Sequence, residues 1–401
     1  MSNNLKIGLF GFGCVGTGLY KVLNQSSLLS ASIEKIVVKN KNKQRELSAD
    51  NFSYDPNVIL DDPEINLVVE LIDDADAAFE IVKTAFRRGK NVVSANKKLI
   101  AEHLEELLKL SAEFNVSFLY EAAVCGSIPV IRNLEEYYNN DSLTAIEGIC
   151  NGTSNYILTR ISKELKSFDE ILTDAQNAGF AESDPTLDID GFDSKYKLQI
   201  LLLHTFGILS QPKEVLNIGV RHVKQADVSF AKERGLRLRL LSYGRRVEDE
   251  VVAFVAPVFV DELSFSFDVN YEFNGVSFEA LFSDKQVFTG KGAGSFPTAS
   301  AVLSDVSALQ YDYQYEYKKK NSTHLGLAKD FKVKVFVSAN DQSRLALFSF
   351  LSIEEEYQSA GYAYKVGWIN RSDISHELYR DNPDLFIAFY GNNPVELIGT
   401  K

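Results

Sequence analysis

Cysteine is scarce in this chain: Cys14, Cys125 and Cys150 are the only three in 401 residues, an odd number without CxxC spacing. That argues against a disulfide framework or thiolate zinc site, fits a reducing compartment, and leaves the three thiols as small buried hydrophobes. Histidine is sparse too. His103, His204, His222, His324 and His376 lie scattered with no pair at ligand spacing, so no histidine metal site is expected. A basic block is lacking, and 42 Lys+Arg against 55 Asp+Glu leave a formal charge of −13. A phosphate backbone or an anionic membrane would be repelled, so neither nucleic acid nor membrane is an expected partner. No apolar run reaches the roughly 20 residues of a membrane helix. The opening MSNNLKIGLF lacks the basic and apolar regions of a signal peptide, so the cytoplasm is the expected location. Internal repeats and low-complexity segments are absent as well.

What is present is an ordinary globular composition, 45% hydrophobic and 24% charged, long enough for two or three domains. Up to about residue 130, β-branched runs (KIGLF, IEKIVV, LVVELI, NVVSA, VSFLYEA) alternate with amphipathic stretches (GTGLYKVLNQ, AAFEIVKTAFRRG, HLEELLKLSAEFN). Strands of that buried type between helices predict an α/β fold with a parallel, doubly wound sheet of the Rossmann type over residues 1–130. Residues 131–295 read as a mixed α+β catalytic and oligomerisation domain. The segment 296–317, with Pro297 near a first helical turn, is expected to return to the first sheet. Lysines 318 to 320 and Asn321 read as a linker, and residues 325–401 as a small C-terminal α+β module without a catalytic constellation.

Gly11, Gly13 and Gly16 form GxGxxG between an apolar strand and a helix, with Phe12, Cys14 and Val15 filling the loop. The first glycine allows the tight turn, the second lets a pyrophosphate approach the backbone, and the third lets helix meet strand. The helix start then offers free N–H groups to the anion. The second strand runs into Val38-Lys39-Asn40-Lys41-Asn42-Lys43 without a carboxylate for the ribose 2′-hydroxyl. A basic residue such as Lys39 there favours NADP over NAD.

The segment AGFAESDPTLDIDGFDSKYKLQILLLHTFG crowds Glu182, Asp184, Asp188, Asp190 and Asp193 together, the first four expected in a loop. Asp193 and Lys197 lie four apart on one helical face. On the surface such a pair is worth only a few tenths of a kcal/mol. Here the helix continues as LQILLLH, which should be buried, so a lysine at its mouth is suited to general acid work. A second candidate is Lys97 in SANKK, just past a strand end, where ligands of open α/β sheets bind. Two lysines opening a helix oppose its dipole, which suggests a role with an anion.

Read together, GFGCVG, SANK, EAAVCGSIPVI, NGTSNYIL, the acidic loop ending GFDSKYK, and KGAGSFPTASAVLSD resemble the homoserine dehydrogenase family, in the family's order over about the first 315 residues. The resemblance implies reversible reduction of L-aspartate 4-semialdehyde to L-homoserine by NAD(P)H, on the route to threonine, isoleucine and methionine. It implies Lys197 as proton donor and Lys97 as a second lysine near the reacting carbon and cofactor. Glu182 and Asp193, with Asp188, would anchor the substrate's ammonium group. Gly152, Thr153, Gly179 and Gly294 would close over nicotinamide and substrate, with Ser94 of SANK on the cofactor side. Glu121 and the backbone oxygens of Val124, Gly126 and Ile128 resemble the family's monovalent-cation site, for Na⁺ or K⁺. A homo-oligomer, dimer or tetramer, is implied as well.

Two departures stand out. Relatives usually have a Gly-Gly turn where this chain has Asp73-Asp74, and often an Asp where it has Asn40. The last seventy residues do not match the regulatory amino-acid-binding module of longer relatives. The Asp73-Asp74 turn keeps open a catalytically silent dinucleotide-binding regulatory protein, and the architecture keeps open a different amino-acid dehydrogenase.

Overall fold

The computed structural model describes residues 4–26, 29–164, 166–322 and 324–397. These form two compact units, one drawn from residues 1–139 and 290–321, the other from residues 140–289 and 322–401.

The first unit is built on β1 (Leu5–Phe10), β2 (Ala31–Val37), β3 (Phe52–Ser53), β4 (Leu67–Glu70), β5 (Asn91–Ser94) and β6 (Phe118–Leu119). All pair in parallel, in the order β3-β2-β1-β4-β5-β6. The centre is formed by strands such as LVVE and NVVS, buried on both faces because helices Cys14–Gln25, Ala75–Arg87 and Lys97–Glu113 cover the sheet. Strand order reverses between β1 and β4, which opens a crevice at their carboxyl ends. β3 is only two residues long, too short for a hydrophobic period, so the strand LVVE is fourth in chain order and not third as the sequence pattern suggested. The helix Ser295–Leu309 returns to this unit and lies on Cys14–Gln25. Gly18 permits the approach, since a Cβ there would stand 2.6 Å from the Ser295 carbonyl oxygen.

The second unit is a twelve-stranded mixed sheet. Its strands are β7 (Leu143–Ile149), β8 (Leu216–Asn217), β9 (Arg237–Val247), β10 (Glu250–Val260), β11 (Phe273–Ala280), β12 (Asp284–Lys291), β13 (Gly326–Leu327), β14 (Lys332–Ala339), β15 (Ser352–Ser359), β16 (Tyr362–Asn370), β17 (Phe386–Tyr390) and β18 (Val395–Glu396). The main path runs β12-β11-β7-β9-β10-β17-β14-β16-β15. Residues expected as a separate C-terminal module therefore extend the sheet that carries β7, β9 and β10. β17 pairs in parallel with β10 through Val258↔Phe389 and Phe259↔Tyr390, and β14 pairs antiparallel to β17. One apolar cluster joins Phe254 and Val258 to Phe331, Val335 and Phe389. β10 is buried from Val251 to Val260, the continuous apolar run of a strand covered on both faces.

The helix Phe192–Phe206 is the buried element its sequence predicts, closed at both ends by left-handed glycines, Gly191 (φ 80°) and Gly207 (φ 76°). It lies on β9, where Gly244 leaves space for Leu202 and Phe206. Among the described residues, no helix is long and apolar enough to cross a membrane.

Candidate active site

In the first unit, the three glycines of the loop after β1 do three different things. Gly11 sits at φ +95°, and a Cβ on it would lie 2.5 Å from the Leu71 carbonyl oxygen. A Cβ on Gly16 would lie 2.4 Å from the Gly11 oxygen, the close approach of strand and helix. Around Gly13 nothing stands within 4 Å of that position. Gly13 caps the helix Cys14–Gln25 with no side-chain hydrogen bond, so the first-turn amides keep their N–H groups for a ligand. The space in front is a cavity of about 630 Å³ that Gly13 and Cys14 share with Lys21, Lys43, Arg45 and Phe296. Cys14 is exposed rather than buried as the composition suggested, because it opens this helix at the cavity wall.

The basic residues at the cavity are not the expected one. Lys39 lies away from its lining, 92% exposed, with its ammonium 3.5 Å from the Asp74 carboxylate. Lys43 and Arg45 line the cavity instead, and Arg45 stands over the Phe52 ring at 5.2 Å, with a buried Nε that has no hydrogen-bond partner. Asp74, which looked disruptive beside a cofactor, caps the helix Ala75–Arg87: its Oδ1 accepts from the Ala77 amide at 3.1 Å, the chief reason its carboxyl stays below the usual range.

At the carboxyl ends of β4 and β5, Glu70 accepts from the Ser94 hydroxyl at 2.6 Å and from the Ile72 amide at 2.7 Å. Ser94 is thereby a buried residue of the strand end, and Lys97 opens the helix that follows, half-buried, with Asn96 capping through the Leu99 amide. Burial pushes the Glu70 carboxyl up to about 7 despite both hydrogen bonds. An acid raised in the folded state releases its proton first in the unfolded chain. The stability it contributes is therefore full below pH 4.5 and is lost as pH rises through 7, a change on the order of 3 kcal/mol. Glu70→Gln should accordingly raise the urea midpoint at pH 8 and have little effect at pH 4; a gain of equal size at both pH values would show that the Glu70 charge is not responsible.

Glu121 is buried, and its carboxylate accepts from the amides of Val130 (2.6 Å), Ile131 (2.9 Å) and Arg132 (2.8 Å). Burial still pushes it up to about 7. Its own amide donates to Asp305 Oδ2 at 2.9 Å, while the buried Asp305 Oδ1 has no partner. Val124 and Ile128 are buried beside it in sequence, and Cys125 and Gly126 turn left-handed at φ 55° and 54°. Two buried carboxylates this close, one with an orphaned oxygen, fit a small cation as neighbour. Among the described residues, no group of three or more His, Cys, Asp or Glu is arranged to hold a metal ion.

In the second unit the structure brings Lys197, Asp193 and Asp188 together. Lys197 Nζ donates to Asp193 Oδ2 at 2.7 Å and to the Cys150 carbonyl at 2.6 Å, and both charged residues are buried. The residue joining them, Asn151, lies outside the candidates that the sequence offers. Asn151 Oδ1 accepts from the Ser154 amide at 2.8 Å, capping the helix Gly152–Glu164, which orients its amide nitrogen toward both acids. That nitrogen donates to Asp188 Oδ1 at 2.6 Å and to Asp193 Oδ2 at 2.8 Å. An aspartate could cap equally well but would place a third carboxylate there. Asp188 sits in a one-turn helix, Thr186–Ile189, rather than in open loop, because Asp184 accepts from the Thr186 amide and Pro185 sets the first turn.

The remaining expected residues fall nearby in sequence but play varied parts. Gly152 has no room for a side chain, since a Cβ would lie 2.8 Å from the Glu272 carbonyl oxygen. Thr153 donates to the Phe180 carbonyl at 2.8 Å and so holds the turn in which Gly179 takes φ +77°. Glu182 is exposed, with its backbone oxygen accepting from Gln176. Gly294 takes φ +118° at the start of the helix Ser295–Leu309 in the first unit.

A doubly wound sheet with an open glycine turn in one unit, and a lysine buried against paired carboxylates in the other, are the parts of a nicotinamide-dependent oxidoreductase. Comparison with known proteins is specific. The family described as homoserine dehydrogenase matches residues 129–307, and the homoserine dehydrogenase NAD-binding domain matches residues 11–121. The homoserine dehydrogenase of Lactococcus lactis is 37% identical over 313 residues, 75% of this chain and 73% of that protein. That of Bacillus subtilis is 34% identical over 314 residues, 76% of this chain and 72% of that protein. Among solved structures, a homoserine dehydrogenase from Thiobacillus denitrificans superposes with a TM-score of 0.83 at 29% identity, covering 96% of this chain and 98% of its own. The chain belongs to the homoserine dehydrogenase family. These relatives support neither a catalytically silent regulatory protein nor a different amino-acid dehydrogenase.

Proposed function

We propose that the chain reversibly reduces L-aspartate 4-semialdehyde to L-homoserine, in the cytoplasm, on the route to threonine, methionine and isoleucine. The observation that carries this reading is the buried Lys197–Asp193 pair tied through Asn151 to Asp188. When bound, the nicotinamide supplies or accepts the hydride. As charge builds on the substrate's aldehyde oxygen, the Lys197 ammonium stabilises it and donates a proton to it; in the reverse direction the lysine takes the proton back. Asp193 aims Lys197, and Asn151 holds the two aspartates at fixed spacing. Asp193 and Asp188, with Glu182 of the exposed loop, suit the ammonium group of an amino-acid substrate. Lys97, beyond β5, and Ser94 serve the cofactor side, and Gly152, Thr153, Gly179 and Gly294 shape the backbone around cofactor and substrate.

NADP is the preferred cofactor in this reading, supported by Lys43 and Arg45 at the cavity that Gly13 opens. Arg45→Ala should raise the Kd for NADPH by about tenfold and leave that for NADH within about twofold; equal weakening of both would move the 2′-phosphate elsewhere. A monovalent cation, Na⁺ or K⁺, is held by Glu121 with the carbonyls of Val124, Gly126 and Ile128. A homo-oligomer is supported by the edge strand β12 and the turn before it, which expose Leu281 (64%), Phe282 (75%) and Val287 (47%).

The test is the rate of NADP⁺ and NAD⁺ reduction with L-homoserine at alkaline pH, with and without added K⁺ or Na⁺. Turnover faster with NADP⁺ and stimulated by one cation is the expected result, and nucleotide binding without turnover would overturn the reaction proposed here.

A further inference from the structure

The helix Phe192–Phe206 has a second charged residue facing away from this chemistry. Lys195, between Asp193 and Lys197 in sequence, is 8% exposed and donates to Asn217 Oδ1 at 2.7 Å, with the Phe192 ring 5.0 Å from its ammonium. It lines a cavity of about 450 Å³ with Lys213, Arg371, Ser372, Ser375 and Glu377. Three cations face one carboxylate there, in a chain whose formal charge is −13. A neighbouring cavity of about 590 Å³ shares Lys213 and Arg371 and adds Lys329 and Glu214, so three cations face one carboxylate there as well. Neither Lys213 nor Arg371 is taken up by an ion pair among the described residues. Burying a lysine without a carboxylate beside it is costly, and burial alone lowers the Lys195 ammonium to about 8.

We propose that the cavity lined by Lys195, Lys213 and Arg371 binds a small dianion, a phosphate or a dicarboxylate. The guanidinium and the two ammonium groups match its charge, and Asn217, Ser372 and Ser375 add neutral hydrogen-bonding groups that fix its orientation. The site is assembled from both ends of the second unit's chain. Lys195 comes from the helix that carries Asp193 and Lys197, Lys213 from the segment after it, and Arg371 from the turn that follows β16. An anion seated there rests on the start of the helix that holds the Lys197–Asp193 pair.

Titration calorimetry of the full chain with inorganic phosphate and with succinate, in chloride buffer at pH 7, tests this. Saturable one-site binding of at least one probe is expected, and the tighter of the two tells phosphate from dicarboxylate. The double variant Lys213→Gln with Arg371→Gln should weaken that binding by about tenfold or more. Arg45→Ala, which removes a cation from the nucleotide cavity of the other unit, should leave it unchanged. Absence of saturable heat from both probes, unchanged affinity in the double variant, or loss in Arg45→Ala would each overturn the site. Because the readout is binding, failure here is distinct from failure of the proposed reaction.

Discussion

Lys197→Ala is expected to lower kcat by about 10²–10⁴-fold while the Kd for NADPH stays near its starting value. The size follows from removing the proton donor of a reaction that builds charge on oxygen. The unchanged Kd follows because the glycine turn and its cavity belong to residues 1–139 and 290–321, whereas Lys197 lies in the other unit. The substitution also removes the cation beside Asp193, which is 2% exposed, and breaking a buried pair by removing one partner costs about 3–5 kcal/mol. A control separates the two effects: Lys197→Met combined with Asp193→Asn removes both charges, so it should recover stability and remain inactive. Steady-state turnover with homoserine, a fluorescence titration with NADPH and a denaturant midpoint for each variant suffice. Near-normal turnover in a folded Lys197→Ala protein would take this lysine out of the chemistry.

The second large effect is expected at Gly13. Because open space surrounds its missing Cβ, Gly13→Val should fold with nearly the original Tm, yet weaken NADPH binding by about 100-fold or more. The branched side chain would occupy the place where pyrophosphate meets the helix amides. Gly16→Val should do the reverse in order of cause. Its Cβ would meet the Gly11 carbonyl oxygen at 2.4 Å, so strand and helix must separate and the Tm should fall by several degrees. Thermal unfolding beside nucleotide titration distinguishes them; a Gly13→Val protein that binds NADPH normally would place the pyrophosphate away from this turn.

The first unit was legible because β1, β4 and β5 are largely buried apolar runs and each crossover helix has a clear period. What escaped was short or local. β3 has two residues, and no period exists over two residues. The joining of the C-terminal strands to β10 was hidden because pairing partners more than a hundred residues apart leave no local pattern. At the site, Lys197 and Asp193 were readable from their i,i+4 spacing ahead of an apolar helix. Asn151 was not singled out, although an Asn just before Gly-Thr-Ser at a helix start is a recognisable cap. Its amide bonds to Asp188 and Asp193 are long-range and invisible in sequence. Lys39 was chosen for the 2′-phosphate by its place after a strand. Asp74, whose role as a helix cap needed the structure to reveal, lies close enough to pair with it, while Lys43 and Arg45 line the cavity.

The pairing of β10 with β17 also bears on how the molecule is made. During synthesis the segment 250–260 leaves the ribosome well before residues 386–390 exist, and at about 5–20 residues per second the wait lasts several seconds or more. For that interval the most apolar strand of the second unit has β9 on one side and, beyond the two residues paired with β8, an open edge on the other, the condition in which strands find wrong partners. Emergence of residues 386–390, rather than completion of the catalytic segment, sets the moment at which β10 gains this partner. Shortening the chain at residue 325 would make that exposed interval permanent.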